Sequence, residues 1–389
     1  MKPALAAMES KISILEAKHA DRIGLLLSGG GARAAYQVGV LSAIAQMLPK
    51  NASNPFHIIS GTSAGALNAA SLACHAHRIR TAVALLEYVW KNVSSDQIYT
   101  PQSGKLFGSA SAMLLSTVRT KKSEAPLSLL DNFPLSELLQ RVLKLNRIQR
   151  NIDRGLLDAL SITASAYSTG ESVSFYQGIK GLEDWEGPHR IGLRSQIEHS
   201  HLMASAALPV LFPAVKIGKQ YFGDGSVRQL APTSTPIHLG ARRLLAIGVS
   251  GNRIKTPLED KMPEPPSLSQ ILGHMLNSAF VDTLDNDLDF LREMNGVLDH
   301  VPNRLRANGK LRAQKIELLE ISPSKELNVL ASEYYDELPK QMAKHIKPDS
   351  SGTLLSLVLF EKGFCTALLK LGVEDALAYE PEIRHFFRR

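Results

Sequence analysis

The chain has 389 residues, of which 44% are hydrophobic and 21% charged, and a net charge of +7. That length is enough for one large or two modest domains with a sizeable core, and that composition excludes a disordered chain. The positive excess suits either attraction to an anionic lipid surface or solubility alone.

Two cysteines, Cys74 and Cys365, are too few for a disulfide framework and point to a reducing, cytoplasmic setting. The first twenty or so residues lack the apolar core of a secretory signal, and nothing approaches a membrane span. Any membrane contact is therefore expected to be peripheral. Neither zinc-ligand spacing nor an RNP-like aromatic pattern is present, so no nucleic-acid partner is expected.

Residues 1–22 read as a polar helical lead-in. Ile23 to Leu27 is an unbroken apolar run, which predicts a strand buried on both faces. Ser28-Gly29-Gly30-Gly31-Ala32-Arg33-Ala34 follows, and a first helix is predicted over Ala34 to Leu48, closed by Pro49. Three glycines let the backbone approach a ligand closely and turn successive N–H groups toward it. A dinucleotide fingerprint would need an acidic residue about 20 positions on. No Asp or Glu occurs from Arg22 through Leu86. A phosphate loop would end in Gly-Lys-Ser/Thr, which is missing. Two readings remain: a tight turn without ligand, or an oxyanion hole in which Gly29, Gly30 and Gly31 face a carbonyl oxygen as it turns negative. Arg33 either steadies this loop or attracts an anionic head group.

A second strand is predicted at His57 to Ser60. It runs into Gly61-Thr62-Ser63-Ala64-Gly65 and then into a helix predicted over Ala66 to Trp90. This is the pattern of a nucleophile elbow, a sharp strand-to-helix turn that lifts a serine into a strained position, with small residues such as Gly61 and Gly65 avoiding clashes. The serine then sits at a helix N-terminus, which favours developing negative charge.

Residues 101–130 form a long connection rich in Gly, Ser, Lys and Thr, with the basic run Val118 to Lys122, of the kind found in lids, binding loops and insertions. A helix is predicted over Pro134 to Arg150, with basic residues every third position. Two β-like segments lie between Leu160 and Tyr176, and further strands at Ile217 to Phe222 and Arg243 to Val249. Pro257 to Pro266 reads as a linker, Leu268 to Leu298 as a long amphipathic helix, and Lys315 to Ile321 as a last strand before a helical remainder. Strands alternating with helices predict an α/β domain with a mainly parallel sheet.

A serine hydroxyl is a poor nucleophile until a base takes its proton. The α/β-hydrolase order would offer His238 or His274, with Asp224 between. That order fits poorly, because the elbow comes after only about two strands and none of the histidines, His75, His77, His199 and His201 included, has a catalytic setting. Asp224, in Tyr221-Phe222-Gly223-Asp224-Gly225-Ser226, is the better base, since it stands at a strand end, where sites in open α/β sheets gather.

The glycine loop, the elbow and the distant Asp-Gly, in this order, resemble the patatin-like phospholipase family. Ala204-Ser205-Ala206-Ala207-Leu208-Pro209 and Leu130-Asp131-Asn132-Phe133-Pro134-Leu135 are similar to further blocks of that family. The resemblance implies a three-layer α/β/α sandwich over 23–250, with a mostly helical extension over 251–389 packed on it. It implies a Ser–Asp dyad without histidine. Ser63 takes the part of nucleophile, Asp224 of base and Gly29, Gly30 and Gly31 of oxyanion loop, with Arg33, Gly61, Gly65 and Gly225 in support. Two departures stand out: Ala34 replaces the last loop glycine, and Ser226 the small residue after Asp-Gly. The implied activity is hydrolysis of fatty-acyl esters of phospholipids or lysophospholipids through an acyl-serine, without metal or cofactor. A soluble carboxylesterase, an acyl-thioesterase and a non-catalytic lipid-binding module are the alternatives.

Overall fold

The computed structural model describes residues 22–101, 128–250, 268–278, 283–302, 314–343, 346 and 352–388. The N-terminal lead-in, most of the basic connection at 101–130 and the linker at 257–266 lie outside the described residues. In chain order the strands are β1 (Ile23–Leu27), β2 (Ile58–Thr62), β3 (Thr100–Pro101), β4 (Leu130–Asp131), β5 (Ala159–Ala166), β6 (Ser172–Gly178), β7 (Trp185–Gly187), β8 (Arg190–Arg194), β9 (Val215–Ile217), β10 (Gln220–Asp224), β11 (Arg243–Ile247) and β12 (Glu317–Ile321). The helices are α1 (Ala35–Met47), α2 (Ala64–Cys74), α3 (Ile79–Asn92), α4 (Phe133–Val142), α5 (Asn146–Asp153), α6 (His199–Ser205) and α7 (Ser234–His238). After them come α8 (Leu268–Asn277), α9 (Thr283–Asp299), α10 (Leu327–Ser332), α11 (Lys340–Ala343), α12 (Gly352–Val358), α13 (Lys362–Ala378) and α14 (Glu380–Arg388).

Ten strands form one mixed sheet, in the order β12-β11-β1-β2-β5-β6-β8-β7, with β10 paired to β5 and β9 to β10. Every pairing from β12 to β5 is parallel, whereas β6, β10 and β9 bring antiparallel contacts beyond it. All residues of β1, β2, β5 and β11 are buried, as their unbroken apolar or small-residue runs require. Alternation along β1 splits the core in two. Leu25 and Leu27 face the main core with α1 and the C-terminal helices, while Leu26 faces a second cluster with Leu284 and Leu288 of α9. Helices therefore cover both faces of the sheet.

The C-terminal helices are integral to this packing. A Cβ at Gly39 of α1 would lie 2.1 Å from the Leu369 carbonyl oxygen, and one at Gly372 of α13 would lie 2.2 Å from that of Tyr36. The two helices touch backbone to backbone, a separation only glycine permits.

Three predicted elements divide. The helix expected over Ala66 to Trp90 breaks at residues 75–78, where the Ala76 carbonyl accepts from Asn54 N–H and the His75 ring turns back to Ser71 O. That over Pro134 to Arg150 breaks into α4 and α5 beside buried Leu143. The strand expected over Ile217 to Phe222 is a hairpin, because Gly218 adopts a left-handed φ of 59°. Leu268 to Leu298 is helical as α8 and α9, with 279–282 outside the described residues.

Candidate active site

The turn between β2 and α2 is strained. Ser63 adopts φ 55° and ψ −131°, a conformation that costs an L-residue on the order of 1–3 kcal/mol. Three features hold it there. A Cβ at Gly65 would sit 2.4 Å from Leu27 O and 2.5 Å from Ser28 O, so the first turn of α2 presses against the end of β1. At Gly61 a Cβ would meet Gly65 O at 2.5 Å. The third is Ser205 of α6, fully buried, whose hydroxyl accepts the Ser63 N–H at 2.9 Å and donates to Thr163 O at 2.6 Å. The sequence placed Ser205 in a familiar block but gave it no role; a lone hydroxyl in an alanine run was its signal.

Asp224 reaches Ser63 by strand topology. β6 occupies one edge of β5 along residues 159–165. On the other edge β2 runs parallel up to Thr62 opposite Thr163, and β10 runs antiparallel down to Asp224 opposite Ala164. The two strands meet head to head, and the residue after one faces the last residue of the other. Gly225 fits beneath, where a Cβ would lie 2.2 Å from Thr163 O. Gln229 closes the junction by accepting from the Thr62 hydroxyl at 2.6 Å.

The Asp224 carboxyl is fully buried, and desolvation pushes its pKa up to about 7. The Ser63 hydroxyl, the Ser226 N–H and the Ser226 hydroxyl lie close enough to hold it lower than burial alone would. Only the Ser226 N–H makes an aligned bond, to Oδ1 at 2.9 Å; Oδ2 and the Ser226 hydroxyl are buried without a formed partner. Ser63 and Asp224 are thus adjacent, with their mutual hydrogen bond not drawn tight. Among the described residues, no imidazole acts on this carboxyl. His238 stacks on Trp185 and bonds Ser234, and His201 accepts from Glu198 N–H against Phe175.

In the glycine loop, Gly29 and Gly30 donate to no protein acceptor among the described residues. Gly31 has φ +54°, and a Cβ there would lie 2.1 Å from Leu357 O of α12. Arg33 points inward. Its guanidinium donates to Ser356 Oγ at 2.9 Å and Asn328 Oδ1 at 2.7 Å, and desolvation lowers its pKa to about 10, so it stays charged at neutral pH. Arg33 is thus turned toward α10 and α12 and not toward solvent. Nothing in the sequence linked these distant segments. Ala34 has φ −65°, which needs no glycine, and its carbonyl accepts from Asn68 Nδ2 at 3.1 Å.

A narrow cavity of about 80 Å³ opens from Ser63 and Gly31 and runs along α2 between α3 and α4. Its walls are almost wholly apolar, including Leu67, Leu86, Trp90, Leu139 and Phe360. Such a slot suits an apolar ligand.

The family model for patatin-like phospholipases matches residues 25–237, more than half of the chain. Among solved structures, VipD from Legionella pneumophila is similar over 90% of this chain and 67% of its own, at 14% identity and a TM-score of 0.29. That likeness is too loose to carry an argument. No curated protein matches the chain. The chain belongs to the patatin-like phospholipase family, and with it to the lipid acyl hydrolases.

Proposed function

We propose that the chain cleaves fatty-acyl esters of phospholipids or lysophospholipids with Ser63 and Asp224 as a catalytic dyad. The observation that supports this most is the head-to-head meeting of β2 and β10, which sets a buried carboxyl beside the elbow serine at the mouth of an apolar slot.

The Asp224 carboxylate takes the Ser63 proton as Oγ attacks the acyl carbon. The carbonyl oxygen becomes an oxyanion held by the amides of the glycine loop, each such donor being worth about 2.7–4 kcal/mol in comparable sites. The ester C–O bond then breaks, and the departing alcohol takes the proton from Asp224. Water attacks the acyl-serine and gives a proton to the same carboxylate. Breaking the bond between the acyl carbon and Oγ frees the fatty acid, and Oγ takes that proton back from Asp224. An ordinary aspartate is a weak base at neutral pH, and a pKa near 7 brings this one into the working range.

Fatty-acid release from lysophosphatidylcholine, diacyl phosphatidylcholine, a butyrate ester and an acyl-CoA, by wild type and Ser63→Ala, tests this reading. Wild type is expected to favour the phospholipids and Ser63→Ala to release nothing. Release confined to the thioester would replace the proposal.

A further inference from the structure

Ser63 aside, the apolar cavity has one polar side chain that nothing among the described residues satisfies. Besides Ser63, its polar side chains are Asn68 and Ser71. Asn68 is fully engaged: Nδ2 donates to Ala34 O and Gln37 Oε1, and Oδ1 accepts from Trp90 Nε1. Ser71 is 2% exposed and its hydroxyl has no partner, although its own carbonyl is bonded to the His75 ring. A buried hydroxyl left unpaired costs about 1–3 kcal/mol. Its ordinary escape, folding back to the carbonyl four residues earlier, is not taken here.

Ser71 also stands at a definite depth. Ser63, Leu67 and Ser71 are spaced by four residues and share the cavity face of α2. At a rise of about 1.5 Å per residue, Ser71 lies roughly 12 Å beyond Ser63. An extended acyl chain advances about 1.3 Å per carbon, given C–C bonds near 1.5 Å, so about nine or ten carbons cover that distance.

We propose that Ser71 is a specificity residue that hydrogen-bonds an oxygen substituent, hydroxyl or carbonyl, near the tenth carbon of the acyl chain. The inference rests on the reading of Ser63 as the residue that takes the acyl group. A serine hydroxyl both donates and accepts, so either oxygen function satisfies it. A plain chain leaves it unpaired.

Displacement of the fluorescent fatty acid cis-parinaric acid, by decanoic, 3-hydroxydecanoic and 10-hydroxydecanoic acids, reads this without turnover. Wild type is expected to bind the 10-hydroxy acid about tenfold tighter than the other two, the value of one added hydrogen bond. Ser71→Ala is expected to bind decanoic and 10-hydroxydecanoic acids alike while hydrolysing a butyrate ester, too short to reach position 71, at the wild-type rate. Equal binding of all three acids by wild type overturns the proposal without recourse to any variant, as does an unchanged preference in Ser71→Ala. Failure of the hydrolase reading shows separately, as no turnover of the butyrate ester by wild type.

Discussion

Thr62 and Asp224 occupy consecutive stations on one edge of β5, opposite Thr163 and Ala164. Residues 162 positions apart in sequence are brought together because one strand ends where the other, arriving from the opposite direction, also ends. The position of the carboxyl is thus set by sheet register, and its buried state by the strands that enclose it.

That burial predicts a pH profile. Asp224 must be ionised to accept the Ser63 proton, and its pKa is about 7. kcat/KM for a neutral ester is therefore expected to fall about tenfold per pH unit below that point and to level off above it. A profile flat down to pH 5 would exclude this carboxyl as the base.

Stability should run against activity at the same residue. The folded-state pKa is raised from 3.8 to about 7, so the native protein binds this proton more tightly than the unfolded chain does. The stability so gained is full below pH 3.8 and lost as pH rises through about 7. Asp224→Asn, neutral at every pH, is expected to lose activity yet exceed wild type in stability at pH 8, by up to about 4 kcal/mol at about 1.36 kcal/mol per unit. Denaturant titrations at pH 8 and pH 4 check this, with the gain confined to pH 8.

Ser226, the departure after Asp-Gly, places a hydroxyl beside that carboxyl, and this hydroxyl favours the ionised form. Ser226→Ala keeps the N–H bond to Oδ1 and removes the hydroxyl. The acid limb of the rate profile is expected to move to higher pH, with the plateau rate little changed. An unmoved limb would mean that the hydroxyl does not act on Asp224.

Ser205→Ala tests the clamp on the elbow. The change leaves the Ser63 N–H and the Thr163 carbonyl without their buried partner. We expect a loss of about 1–3 kcal/mol in stability and a fall in kcal-equivalent terms of similar size in kcat, roughly tenfold to a hundredfold, with KM nearly constant. Steady-state kinetics alongside thermal melts separate this from a purely structural role, which would lower the melting temperature alone.

The turns at the strand ends were legible in the sequence because each is local. Gly29 to Gly31, the elbow around Ser63 and the Asp224-Gly225 turn each need particular residues within a few positions, for steric reasons that hold in any fold. What supports them was not legible. Ser205, Gln229, Asn328 and Ser356 are ordinary polar residues whose roles arise from contacts across the sheet or from the C-terminal helices. The helix breaks near residues 75–78 and 143–145 were missed for a related reason. Helix-forming composition continues through both, and tertiary contacts such as Asn54 N–H to Ala76 O decide the turn.

Arg33 links the family domain to those C-terminal helices. Arg33→Met removes the charged donor to Ser356 and Asn328, which keep their bonds to each other and to Thr353, so stability is expected to fall by about 1–3 kcal/mol in all. Turnover should fall as the loop bearing Gly31 loosens against Leu357. Chemical denaturation measures the first effect and acyl-ester kinetics the second; a variant as stable and as active as wild type would remove Arg33 from any supporting role.

Covalent capture of Ser63 is the most direct test of the dyad. Wild type and Asp224→Asn would be treated with a fluorophosphonate, and the adduct located and timed by intact and peptide mass spectrometry. The expected result is a single adduct on Ser63 in wild type, forming faster as pH rises through about 7, and little or none on folded Asp224→Asn. An adduct forming on Asp224→Asn at the wild-type rate, or on a residue other than Ser63, would contradict it.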